Sequence, residues 1–189
     1  LATVPELFPS SWSADGQYVL ACCTRYAEGQ GTRSLWILPT SGGGKVIPFS
    51  PAGSEAITPR FSPDGRFIAY AVSDGTNRNI YVASFPDGAS RWQVSLAGGE
   101  EPRWRADGRE IFFLAPDNTL MVAKLTVRGA EFEVGERTPL FRTDLAPSVS
   151  WRYDVARDGQ RFLVNTSSGQ ERRTPITLVI NWTERLAKR

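Results

Sequence analysis

The stretch "PRFSPDGRFIAYAVSDG", residues 59–75, holds one turn, one apolar run and the start of a second turn. Asp-Gly between two apolar runs is among the strongest short signals for a β-hairpin. Gly supplies the positive φ that closes the turn, and Asp accepts hydrogen bonds from nearby backbone N–H groups. The wording then recurs. "WSADGQYVLA", "WRADGREIFF" and "VARDGQRFLV" align with "FSPDGRFIAY" without gaps, and their turn residues fall roughly every 45 residues. The pairs are Asp15 and Gly16, Asp64 and Gly65, Asp107 and Gly108, and Asp158 and Gly159. Three residues before each Asp stands an apolar group (Trp12, Phe61, Trp104, Val155). Four after it stands another (Val19, Ile68, Ile111, Phe162). Their place within one turn type assigns the eight Asp and Gly residues a structural role and not a functional site.

Each unit continues alike. A second turn, such as "SDGTNRN" at 73–79 or "APDNT" at 115–119, leads to a third apolar run: "LWIL" 35–38, "IYVASF" 80–85, "LMVAKL" 120–125, "ITLVI" 176–180. A more exposed fourth strand is expected over "KVIPF" 45–49, "RWQVSL" 91–96 and "TPLFRT" 138–143, the last after an excursion through "RGAEFEVGE". Four short strands per unit, repeated without helical periodicity, predict an all-β chain, a β-propeller with four four-stranded blades. The blades run over about 9–50, 55–97, 100–143 and 150–182, in a single domain spanning 1–189; the outer strand of the fourth is expected from 3–8. Two readings of this count stay open: the C-terminal part of a larger ring of six to eight blades, or a closed four-bladed ring. An open arc would expose two apolar faces and invite self-association. Helix is expected nowhere except as a frayed turn in "TERLAKR", 183–189.

The rest of the sequence narrows the chemistry. Twenty-two basic and 20 acidic residues leave a net charge of +2, so no broad field exists to hold a polyanion, and nucleic acid is not an expected partner. No apolar run is long enough to insert into a bilayer. The chain contains no His, which removes the usual Ser-His-Asp and Cys-His nucleophile systems and every His-based zinc site. Cys22 and Cys23 are adjacent, a poor geometry for a disulfide, and point to opposite faces of a strand. No catalytic, cofactor-binding or metal-binding residue is therefore expected, and no cofactor. "SGGGK", 41–45, resembles the end of a phosphate loop but runs into a strand and reads as a hairpin connection. "DGTNRN", 74–79, is faintly like a calcium loop but lacks the downstream acidic ligand. The tryptophans (Trp12, Trp36, Trp92, Trp104, Trp151, Trp182) mostly recur at equivalent strand positions and are expected to pack between blades.

"FSPDGRFIAY" with "IYVASFPDG" resembles the repeat of TolB-type, WD-repeat-like β-propellers of bacteria, and the resemblance covers all four units. The later segments "GGEEPRWRADGREIFFLAPDNTLMVA" and "YDVARDGQRFLVNT" are similar to the C-terminal propeller of bacterial transmembrane serine/threonine protein kinases. That resemblance implies a non-catalytic protein-interaction or ligand-sensing module, extracytoplasmic, with a protein, peptide or small ligand held at a rim or channel. No "HRD", "DFG" or glycine loop of a kinase is present, so any kinase domain of a parent protein lies outside these residues. Two alternatives are the gate domain of a prolyl-oligopeptidase-type hydrolase and a free periplasmic TolB-like adaptor.

Overall fold

The structure is a computed structural model. It describes residues 7–27, 30–42, 44–49, 55–73, 75–129, 131–145, 151–166 and 176–180. All regular elements among them are strands. β1 (Leu7–Trp12), β2 (Tyr18–Ala27), β3 (Gln30–Pro39) and β4 (Ile47–Pro48) form the first sheet. β5 (Glu55–Phe61), β6 (Phe67–Ser73), β7 (Arg78–Ser84) and β8 (Arg91–Gln93) form the second. β9 (Glu100–Trp104), β10 (Glu110–Leu114), β11 (Thr119–Arg128) and β12 (Glu131–Arg142) form the third, and β13 (Tyr153–Val155), β14 (Arg161–Asn165) and β15 (Ile176–Ile180) the fourth. Every strand pairs with its neighbours in sequence, so each sheet is a simple antiparallel meander, the topology that short hairpin turns dictate.

The chain divides into two compact units, residues 1–102 and 103–189. In the first, Leu20, Leu35 and Ile37 of the first sheet pack with Ala56, Phe61, Ile68, Tyr70, Val72 and Ala83 of the second. Alternation along β2 and β3 puts Leu20 and Ile37, directly paired, on that face. Aromatic edges seal the contact: Tyr18 and Phe61 both meet Phe85 edge-on, at ring separations of 5.1 and 5.2 Å. β6, "FIAYAVS", is buried on both faces up to its last residue, which is why its apolar run does not alternate. In the second unit Phe162 is the anchor, its ring 5.2 Å from Phe112 and 5.6 Å from Phe141, with Leu114, Leu120, Val122 and Val164 around it.

Four expectations change. "RGAEFEVGE" is no excursion: Glu131–Val134 pair with Leu125–Arg128, so β11 and β12 form one long ladder turning at Gly129, whose φ is +60°. The fourth strands are short, β4 covering two residues and β8 three, although Val94 still donates its N–H to the Ile80 carbonyl. Of the outer strand expected over 3–8, Leu7 and Phe8 open β1 and pair with Cys23 and Cys22; residues 3–6 lie outside the described residues. The tryptophans are not uniformly packed: Trp12 and Trp151 are exposed, Trp36, Trp92 and Trp104 half-buried, and Trp182 lies outside the described residues, as does "TERLAKR".

Candidate binding site at the first strands

The four Asp-Gly corners share one geometry. Gly16, Gly65, Gly108 and Gly159 have φ of 71, 71, 72 and 71°. Asp15, Asp64, Asp107 and Asp158 each accept, through Oδ1, the backbone N–H two residues on, at 3.0–3.1 Å. The acids therefore close their own turns, and the structure keeps them in four separate corners instead of assembling them. In the first two corners a Ser reinforces the carboxylate: Ser13 and Ser62 donate to Asp15 and Asp64 and accept the N–H of Tyr18 and Phe67. The Ser13 hydroxyl, then the Gln17 N–H, hold the Asp15 carboxyl below the usual carboxylate range. At Asp64 partial burial pushes upward, but hydrogen bonds from Ser62 and Arg66 and the Arg66 charge outweigh it, and the net shift is again downward.

Strained backbone lies on the first strands of the second and third sheets. β1 is bulged between Pro9 and Ser11, and β5 between Ile57 and Arg60. Thr58 sits in the β5 bulge with φ +51°, in the left-handed region that a β-branched residue rarely enters. Its Oγ1 is buried and has no hydrogen-bond partner. Glu101, the same number of residues ahead of its own Asp-Gly corner, has φ +52° and is buried. Both stand directly before a Pro-Arg-aromatic triplet, "PRF" at 59–61 and "PRW" at 102–104. Arg60 donates through Nη1 to the Ser10 carbonyl on β1 and to the Pro59 carbonyl, while the Phe61 N–H donates to Ser11 Oγ at 3.2 Å. One bulge is thus laced to the other.

The equivalent Arg103, in the second unit, is buried. It donates to the Tyr153 carbonyl at 3.4 Å, lies 3.6 Å from Asp154 Oδ1, and places its guanidinium 5.4 Å from the Tyr153 ring centre and 5.3 Å from that of Trp151. Trp151 itself is exposed, with φ +73°. Arg103 thus ties the first strand of the third sheet to the Trp151–Tyr153 segment. Sequence reasoning missed these bulges, although a signal was present. Pro cannot donate to a ladder, so Pro59 and Pro102, each five residues before its turn Asp, and Pro9, six before Asp15, mark an edge strand or a bulge.

A second concavity lies beside the first corner. Gln17, Tyr18, Pro39, Thr40, Ser41, Lys45 and Ile47 line an open cleft of about 590 Å³. Thr40 holds the corner by donating from Oγ1 to the Gly16 carbonyl at 2.8 Å. "SGGGK" is part of the hairpin connection here, with a Gly44 N–H to Ser41 carbonyl bond of 3.5 Å. In "DGTNRN", Asn79 Oδ1 accepts the Ser95 hydroxyl, so that oxygen serves the sheet; Asp74 lies outside the described residues. Cys22 is half-buried against the first core, its Sγ 3.5 Å from the Ala56 carbonyl. Among the described residues no three His, Cys, Asp or Glu side chains converge as metal ligands.

Comparison with known proteins agrees on the fold. TolB from Acinetobacter baumannii superposes on 92% of this chain with a TM-score of 0.65 at 21% identity, and the chain spans 40% of that protein. An oligogalacturonate lyase, solved in complex with manganese, matches 92% at a TM-score of 0.62 and 15% identity, and the chain spans 46% of it. The tricorn protease matches 87% at 0.60 and 13%, over 20% of its own length. The fold is that of a TolB-type β-propeller, as its repeat predicts. In sequence, the chain is similar to a Bacillus subtilis protein described as an uncharacterized peptidase, YuxL: 35% identical over 83 residues, which is 42% of this chain and 12% of that protein. No protein-family model matches the chain.

Proposed function

We propose that this chain is a non-catalytic binding module whose ligand engages the bulged first strands. The observation that carries this reading is Thr58, a β-branched residue held in left-handed backbone with a buried, unpartnered hydroxyl beside Arg60. Such strain costs about 1–3 kcal/mol and is retained where a surface is preorganised for contact. The preferred partner is a protein or peptide, which would lie along the bulged segment beside Arg60. The module is extracytoplasmic and joined to a membrane-bound serine/threonine kinase, a reading supported by the kinase-propeller resemblance of the segments around Asp107 and Asp158.

A photo-crosslinking side chain at position 58, in the full-length protein in its native cell, tests the site. One discrete cross-linked partner at 58, absent when the probe sits at exposed Arg128, is expected. Equal labelling from both positions overturns the assignment. Reading the gene on both sides of these residues tests the context: a kinase domain and a membrane helix upstream support it, and a signal peptide alone overturns it.

One observation favours a second reading, that of a propeller attached to a hydrolase: the 83-residue similarity to the peptidase. In that case a hydrolase domain is encoded downstream. Peptidase, esterase and ATPase assays on this chain by itself should be blank under either reading, and turnover that survives further purification would refute both.

A further inference from the structure

The segment "SGGGK", 41–45, carries Lys45 to the cleft beside the first corner. Gly44 makes that path possible. A Cβ there would lie 2.5 Å from Pro39 Cβ, so glycine lets the connection close over the end of β3. Strand pairing places the apolar walls. Tyr18 pairs with Pro39, and Ile37 pairs with both Leu20 and Ile47. Because side chains alternate along a strand, Tyr18, Leu20, Ile37, Pro39 and Ile47 share one face. It is the face turned to the second sheet, where Leu20 and Ile37 are buried and Tyr18 meets Phe85. Trp12 pairs with Val19, on the opposite face, so the cleft does not depend on what covers Trp12. At its mouth Ile47 is 41% exposed, although its pairing partner Ile37 is fully buried.

The polar lining is of one kind. Lys45 Nζ, Ser41 Oγ and the Gln17 amide can all donate hydrogen bonds. No acidic side chain among the described residues lines the cleft. Asp15, in the adjoining corner, is engaged by the Ser13 hydroxyl and the Gln17 N–H. We propose that this cleft binds an apolar carboxylate, its acid group on Lys45 and Ser41 and its body against Tyr18, Pro39 and Ile47. One positive charge with neutral donors suits a single carboxylate better than a phosphate dianion. An exposed lysine contributes little by itself, and the apolar wall supplies the rest of the affinity. The volume of about 590 Å³ is that of a small-molecule site. Such a carboxylate is offered both by free organic acids and by the last residue of a peptide. The inference does not rest on the binding role given to Thr58, which does not line this cleft.

Titration of the isotope-labelled 189-residue chain with phenylacetate, followed by amide chemical shifts, tests it. Saturable shifts in the millimolar range are expected at Thr40, Ser41 and Lys45, with Thr58 unmoved. Phenylacetamide, which lacks the charge, and inorganic phosphate, which lacks the apolar body, should each bind at least about threefold more weakly. Lys45→Gln should weaken phenylacetate binding about threefold to tenfold and leave phenylacetamide unaffected, whereas Lys45→Arg should keep most of the affinity. Acetyl-glycyl-phenylalanine separates the two sources, and either result upholds the carboxylate. Tighter binding than phenylacetate assigns the cleft to a peptide end, and weaker binding assigns it to a free acid. Shifts that never saturate overturn the proposal. So does equal binding of phenylacetate and phenylacetamide, or a Lys45→Gln variant that binds phenylacetate unchanged.

Discussion

Ser62 Oγ donates to Asp64 Oδ1 at 2.6 Å and accepts the Phe67 N–H at 2.9 Å, so one hydroxyl ties both ends of the second Asp-Gly corner. Ser62 is buried and so is the Phe67 N–H it serves. Ser62→Ala leaves that donor without its acceptor and should cost about 1–3 kcal/mol in urea unfolding. The fourth corner has Ala156 at the same place, and Ala156→Ser should gain about 1 kcal/mol by offering the Arg161 N–H an acceptor. A loss on adding the hydroxyl would contradict this account of the corner.

Acid should loosen the corners. Asp15, Asp64, Asp87 and Asp117 all ionise below the usual carboxylate range, the last two chiefly through the N–H groups of Ala89 and Thr119. A depressed folded-state pKa gives stability that is present above the unfolded-state value of about 4 and is lost as pH falls through the folded-state value. The melting temperature should therefore fall below about pH 4. In Asp64→Asn it should start lower at neutral pH and fall less. Parallel curves for the two proteins would remove Asp64 from the acid response.

Backbone conformation and steric space can be separated at two glycines. A Cβ on Gly65 meets nothing within 4 Å, so Gly65→Ala should cost only the left-handed backbone penalty, about 1–2 kcal/mol, and Gly65→Asn clearly less. A Cβ on Gly44 would lie 2.5 Å from Pro39 Cβ. Gly44→Ala should therefore shift the connection along the cleft, visible as amide chemical-shift changes at Thr40 and Ser41 with little change at Gly16.

Thr58→Gly should stabilise the chain by about 1 kcal/mol, because glycine adopts φ +51° without the β-branched penalty. Cross-linking to the partner from a neighbouring position should weaken in the same variant. Unchanged stability would mean that the bulge is not strained at Thr58.

Phe162→Ala should cost about 3–5 kcal/mol, since its ring is fully buried between Phe112 and Phe141. Leu163→Ala, one residue on and pointing to the other face, should stay within about 0.5 kcal/mol in dilute solution. Thermal unfolding of both variants checks the contrast.

Much of this was legible in advance because turn chemistry is local. Each turn Asp accepts the N–H two residues on, so "SPDG" and "RADG" carry that part of their corners wherever they occur. The misreading of "RGAEFEVGE" was a failure of period. Phe132 and Val134 alternate with Glu131 and Glu133 as a strand requires, and Gly129 supplies the turn. The bulges were announced by prolines in strands, but Thr58 and Glu101 share no side-chain chemistry that would mark them as left-handed.

The order of the strands, their pairing partners and the four corners were settled by the residues themselves, since each depends on hydrogen bonds between near neighbours in the chain. Which side chains lie in a core was settled only in three dimensions. Trp12 and Phe61 stand at the same step of the same repeat, yet one is open to solvent and the other is enclosed. Burial depends on whether another sheet is laid on that face, a contact between residues far apart in the chain that no short stretch of sequence can encode.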